Sequence, residues 1–401
     1  MENFLHEEVW KRFVRMPYGH IMDCADLAGN AVIPTAEECR NYIPSIVAWT
    51  TPIADGAMFG GLYLYALCKK YDMEPSTALK DEIYILIRGL LLLCDISDVD
   101  GFIARGVADD GVTHYPCSSN DQTGPWILGL WKAMHSDVTE ADMKEEIRRR
   151  LFRTLNGFYQ NDWCFRNEWA GTALGTYKSG DFRNCAKFLF AAAVARELGI
   201  ISDEEFLGYA EEIPQKRRHS RREILSKGFA HEMLTSVALK QFWITVCAHL
   251  SLCELRALDP EGKVLYEQGI SLGAYTAGYS VREFDNYKPD EYPPFDHDWR
   301  KIVPDLKKVT TYEEILAQST GLANDLYAKV CPLRGHERMT LGQALFSAWI
   351  AIESNDDAVA EYAHSVLCEC IETVDWSKVG QCYAYVAEAG LIAYRARSMK
   401  K

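Results

Sequence analysis

Between residues 100 and 126 the chain reads DGFIARGVADDGVTHYPCSSNDQTGPW, which gathers Asp100, Arg105, Asp109, Asp110, His114, Tyr115, Asp121 and Gln122 into one stretch. Glycines at 101, 106 and 111 let the backbone turn tightly there. Such a segment can bring acids, a base and hydrogen-bond donors to one point, as cleavage of a sugar linkage requires. Asp121 and Asp110 are the candidate general acids, with Asp109 beside them. Asp109-Asp110-Gly111 also spells a turn, and Asp121 in SSNDQ also suits a helix cap. His114 and Tyr115 form a second candidate pair, since a histidine titrates near neutrality and a tyrosine with a shifted pKa can pass a proton. Arg105 has the fork geometry to hold a uronate carboxylate, or else it neutralises Asp109 or Asp110.

A second cluster, Asn161 to Tyr177, holds Trp163, Phe165, Arg166, Glu168 and Trp169. Aromatic faces beside a carboxylate suit sugar, whose axial C–H groups pack on rings; ordinary loop packing is the equal alternative. The run WTTPIADGAMFGG supplies Trp49 and Asp55 at a predicted helix start, where the carboxylate either caps the helix or points into a site. Gln122 and Trp126 follow Asp121 as hydrogen-bonding group and stacking platform. A Pro-rich and acidic segment, Tyr287 to Asp298, adds Tyr292, Asp296 and His297, with Trp299 just beyond; it reads as a long structured loop at the rim of a site. Asp296, His297 and Asp298 are contiguous, and adjacent side chains rarely converge on one ion, so no obligatory metal and no cofactor are expected. Phosphate-loop, dinucleotide, zincin and nucleophile-elbow motifs are absent from the sequence.

The elements that must position these residues are helices. Met143, Ile147, Leu151, Leu155 and Phe158 recur every three or four positions across 139–160, while Lys144, Glu145 and Arg149 face elsewhere. Thr139 with Asp142 and Ser202 with Glu205 have capping-box spacing, and Asp259-Pro260 is a further start signal. The same test predicts helices over 54–71, 76–97, 119–136, 139–160, 181–199, 203–213, 233–256, 260–282, 312–329, 339–353, 356–373 and 380–397. Short strands are expected only around Gly101 to Tyr115. Several first helices of pairs carry small residues: Gly56, Gly60, Gly61 and Ala66; Ala191 to Ala193; Gly269, Gly273, Ala274, Ala277 and Gly278. Outer helices apolar on one side and inner helices apolar nearly all round fit two concentric rings.

Composition sets the outer limits. A net charge of −14 leaves only short basic clusters at Arg148–Arg150 and Lys216–Arg222, which argues against a nucleic-acid partner. The 13 cysteines show no CxxC pair and read as buried small hydrophobes of a reducing compartment. Residues 1–15 mix Glu2, His6, Glu7 and Glu8 with apolar residues, unlike a secretory signal, and no run approaches the roughly 20 apolar residues of a membrane span. A cytoplasmic protein without membrane contact is expected.

With paired helices joined by polar loops along most of its length, the chain resembles the six-hairpin (α/α)6-toroid glycosidase-like superfamily, which includes unsaturated-uronide hydrolases, polysaccharide lyases and related carbohydrate enzymes. The resemblance implies one all-α domain over 1–401, a toroid of about six helical hairpins with short irregular or strand-like segments at the rim. It further implies an oligosaccharide or small sugar as substrate. A glycoside hydrolase acting through carboxylates is the first expectation, a lyase or epimerase moving protons through His114 and Tyr115 the second, and a non-catalytic sugar-binding toroid the third.

Overall fold

The computed structural model describes residues 2–169, 175–229, 242–302 and 311–399. Their helices are α1 (Glu2–Arg12), α2 (Ala36–Arg40), α3 (Gly56–Met73), α4 (Thr77–Asp95), α5 (Asn120–His135), α6 (Ala141–Gln160), α7 (Phe182–Glu197) and α8 (Asp203–Glu211). There follow α9 (Arg221–Ser226), α10 (Phe242–Leu258), α11 (Lys263–Gly278), α12 (Tyr312–Asp325), α13 (Pro332–Glu337), α14 (Gln343–Ile352), α15 (Asp357–Thr373) and α16 (Ala384–Ser398). Each helix expected from periodicity is present, although the first nine residues of the 233–256 prediction lie outside the described residues. The expected strands around Gly101 to Tyr115 are absent: that segment is turns and irregular chain. Val14–Arg15 and His20–Ile21 pair as a two-stranded antiparallel ribbon instead.

Burial separates the helices into two kinds. Every residue from Gly56 to Cys68 of α3 is buried, as is all of α14, and so is α16 from Ala384 to Ala393. By contrast α6 buries one stripe, Met143, Ile147, Leu151, Thr154, Leu155, Gly157 and Phe158, and turns its arginines outward. The fully buried kind pack in succession: α3 on α5, α5 on α7, α7 on α10, α10 on α14, α14 on α16, and α16 back on α3. The others lie against them, with α4 on α3, α6 on α5, α8 on α7, α11 on α10 and α14, α15 on α14 and α16, and α1 on α16. One apolar cluster runs through all of these from Leu5 to Ala393. No helix among the described residues is long and apolar enough to cross a membrane.

Local signals act where their geometry permits. Ser202 and Glu205 form the reciprocal capping box of α8. Thr139 does not cap α6; its hydroxyl donates to the Ala133 carbonyl at 2.6 Å and ties down the end of α5. Gly61 and Gly129 allow α3 and α5 their close approach, for a Cβ on Gly61 would lie 2.2 Å from the Pro125 carbonyl oxygen and one on Gly129 2.3 Å from that of Gly61.

The short N-terminal helix, which periodicity did not single out, is fastened by charge. His6 on α1 lies 3.0 Å from Glu388 on α16 and 3.0 Å from Glu82 on α4, and Glu388 also receives Tyr63 and Lys70 from α3. Burial works against the imidazolium, but the hydrogen bonds to Glu388 and Glu82 outweigh it and raise His6 to about 9. Because the folded value lies above the unfolded one, this stabilisation is complete below pH 6.5 and is lost as the pH rises through about 9. His6→Gln is therefore expected to lower stability by roughly 2 kcal/mol at pH 6, less than the full linkage value because the ring edge meets solvent, and by little above pH 9. Urea titrations of both proteins at the two pH values measure this.

Candidate functional site

The N-terminal amides of α3 need acceptors, and the residue before the helix, Asp55, is the usual kind of donor-capping side chain. Here other groups take that task. The Gln122 side-chain carbonyl accepts from Met58 N at 3.2 Å, and the Arg105 backbone carbonyl accepts from Ala57 N at 3.1 Å. Asp55 makes no side-chain cap. Its carboxylate instead accepts from Gln122 Nε2 at 2.6 Å and Arg105 Nη1 at 3.3 Å, and faces a cavity of about 510 Å³.

Beneath it lies Asp23, 7 % exposed, on the segment that follows the β-ribbon. The Asp55 amide donates to Asp23 Oδ1 at 2.9 Å, while the nearest guanidinium, that of Arg334, is 3.8 Å from the other oxygen. Burial, with the Asp55 charge next, pushes the Asp23 carboxyl well above the ordinary carboxylate range. The cavity thus sets a carboxyl whose pKa is driven up beside one that accepts from Arg105 and Gln122, and unequal surroundings of this kind divide acid and base roles between like groups. A third, Asp121 in the first turn of α5, also lines the cavity and pairs with the buried Lys187 at 3.3 Å.

The remaining walls are aromatic and cationic: Trp49, Phe59, Trp243, Tyr327, Phe346 and Tyr383, with Arg334 and Arg338. Two π-helical turns, Leu326–Val330 and Arg338–Gly342, flank α13 and carry Tyr327 and Arg338. The Arg338 guanidinium lies 3.9 Å over the Trp243 ring and donates to the Tyr327 hydroxyl at 2.8 Å, with no carboxylate partner among the described residues. Arg334 donates to the Thr50 carbonyl at 3.1 Å, and its buried Nε finds no acceptor among the described residues.

Of the residues expected from sequence, Asp55, Arg105, Asp121 and Gln122 meet here, and Trp49 joins them. Gln122 is buried behind Asp55 rather than exposed to a ligand. Arg105 is committed to Asp55, Ser119 and the carbonyls of Ala54 and Cys117, so its fork is not free for a substrate carboxylate. The others are placed elsewhere. Asp109 caps Ala36 N at 2.8 Å, and Asp110 closes a turn by accepting from Val112 N, Thr113 N and the Thr113 hydroxyl; both are exposed and outside the cavity. His114 is held between Val112 O and Glu168 at 2.8 Å, and the Glu168 hydrogen bond, prevailing over burial, raises its pKa. Glu168 is spent on that pair. Tyr115 donates to the Ile43 carbonyl from a buried position that drives its pKa far up, so it is no proton carrier.

Three tryptophans expected at the ligand are structural. Trp126 donates to Leu90 O, Trp163 to the Tyr209 hydroxyl and Trp299 to Val32 O, all three rings buried. Trp169 packs beside Ile46, Val47, Cys117 and Ile315. In the rim segment Tyr292 stacks on His336 and Asp296 pairs with Lys301 at 2.5 Å. Among the described residues no group of three or more His, Cys, Asp or Glu side chains is placed to hold a metal ion. Asp23, Arg334, Arg338, Tyr327, Gln381 and Tyr383 escaped the sequence reading. Arg334 and Arg338, four apart in PLRGHER, carried one usable signal, two cations on one helical face.

In comparisons with known proteins, no family model, no curated protein and no solved structure matches the chain.

Asp23→Asn keeps the shape of the protonated acid and its acceptor for the Asp55 amide. With its folded pKa raised, wild-type Asp23 costs stability progressively as the pH rises from about 4 toward the folded value. The variant is expected to melt above the wild type at pH 8 and level with it at pH 4, as differential scanning calorimetry would record.

Proposed function

We propose that the chain is a carbohydrate-active enzyme, a glycoside hydrolase acting on oligosaccharides, built as a single (α/α)6 toroid with its site at one mouth. The cyclic packing of α3, α5, α7, α10, α14 and α16, with the remaining helices outside, supports the toroid. The observation that carries the reaction is the Asp23–Asp55 pair in an aromatic-walled cavity. In this reading Asp23 gives its proton to the glycosidic oxygen as the bond to the anomeric carbon breaks. Water attacks that carbon and passes its proton to the Asp55 carboxylate. Asp121 and the aromatic faces bind the sugar, and Arg338, without a carboxylate partner among the described residues, takes an anionic substituent in the role first expected of Arg105. A cytoplasmic location accords with thirteen free thiols, all but Cys164 and Cys368 buried.

Elimination is the second reading, and Tyr327 is what favours it. Its hydroxyl accepts from Arg338 at 2.8 Å on the cavity wall, leaving its own proton directed elsewhere. The test is incubation with neutral, uronate-containing and unsaturated oligosaccharides, following product mass and ultraviolet absorbance together. Two products whose masses sum to that of the substrate plus one water are expected, formed about 100-fold or more slowly by each of Asp23→Asn and Asp55→Asn. Arg338→Met is expected to raise KM for acidic substrates about tenfold and leave neutral ones unaffected. An ultraviolet-absorbing product would transfer the assignment to elimination, and binding without any product would leave a sugar-binding toroid.

A further inference from the structure

Glu337, the last residue of α13, is fully buried and faces no cation at ion-pair distance among the described residues. A carboxyl in that state is costly unless its oxygens are well used. One oxygen accepts from Gly380 N at 3.1 Å and the Tyr287 hydroxyl at 3.4 Å; the other accepts from Gln381 N at 3.1 Å and Gln381 Nε2 at 3.4 Å. The segment it grips is the cavity floor. Gln381, Cys382 and Tyr383 line the cavity, and residues 380–382 run antiparallel to 23–25, with Cys382 N donating to Asp23 O and Ala25 N to Gly380 O, each at 3.1 Å. Whatever fixes Gly380 and Gln381 thereby fixes the backbone of Asp23. The same helix end holds the rim, for His336 stacks on Tyr287 and Tyr292 and its Nε2 accepts from Lys288 N at 2.9 Å.

We propose that Glu337 is a positioning residue which, as a carboxylate, holds the 380–382 floor strand and so sets the place of Asp23, while its contact with Tyr287 ties that floor to the rim. Three of its four partners can only donate, so a proton on either oxygen must displace or weaken one of them. Other groups around it are Tyr383 on the floor, Cys24 and Cys331 beside it, and Arg334 and His336 on its own helix. Burial raises Glu337 to about 7, so the grip changes within the physiological range. The cavity floor is then firm above that pH and loosened below it, independently of what the cavity binds.

The test is amide hydrogen exchange by mass spectrometry on the whole chain, resolving the peptide that contains Gly380 and Gln381, at pH 8 and pH 6 with rates corrected for intrinsic pH dependence. Wild type is expected to lose about tenfold of its protection in that peptide at pH 6, while peptides of α3 and α5 keep theirs. Glu337→Gln, which turns an amide donor toward the same backbone donors, is expected to show the low-pH level at both. Equal protection of the wild-type peptide at the two pH values would overturn the proposal, and that comparison stands even where the variant fails to fold. Because the readout needs no substrate, failure of the glycosidase reading leaves the result intact.

Discussion

Gly61 on α3 and Gly129 on α5 leave no room for a methyl group between the two helices, and the site depends on that close approach. It brings the first turn of α5 against the first turn of α3, so that Gln122 can satisfy Met58 N and grip Asp55 in the same act. A carboxylate that would otherwise be spent on helix capping is released to the cavity, already oriented by a 2.6 Å hydrogen bond. Asp23 then follows, because the Asp55 amide donates to it and the backbone of 380–382 pins its strand from the other side.

Charge is organised around the same economy of partners. Arg105 serves Asp55, Lys187 serves Asp121, and Asp23 is left with a guanidinium only at 3.8 Å. Three carboxyl groups of one cavity are thus given different surroundings, which is how like groups take different roles. Arg338, resting on Trp243 and Tyr327, meets no carboxylate at ion-pair distance among the described residues, a reason to look for an anionic group on the ligand.

Much of the fold was legible because burial leaves a periodic trace. The stripe on α6 and the small-residue, apolar runs of α3 and α7 mark helices of two kinds from sequence alone, but the small residues of 260–282 misled, since α11 buries only the face that carries Gly269, Gly273, Ala274 and Ala277 and lies outside α10 and α14. The helix α1 escaped, since Leu5 and Val9 are its only buried apolar residues and its hold comes largely from His6 and Glu388, 382 residues apart. The site was legible at the helix starts, Asp55, Asp121 and Gln122, and in the stretches that lead into them, Trp49 and Arg105. Asp23 reaches the cavity from near the start of the sequence and Arg334 and Tyr383 from near its end, and no local spacing records that meeting. Asp109 and Asp110 misled for the converse reason: an acid pair before glycine first serves the backbone, and here Asp110 closes the turn while Asp109 accepts from the Ala36 amide. The tryptophans misled because a large ring near a polar loop is as readily a core residue, with its N–H spent on a nearby carbonyl.

The central claim is that burial beside Asp55 raises the Asp23 carboxyl well above the ordinary carboxylate range. Carboxyl carbon NMR on protein labelled at aspartate, with Asp23→Asn and Asp55→Asn used to assign the two resonances, tests it without any substrate. The account predicts that the Asp23 signal keeps the shift of a neutral carboxyl well above the pH at which an ordinary aspartate has ionised. An Asp23 resonance that titrates in the ordinary carboxylate range would contradict it, and with it the division of acid and base between the two groups.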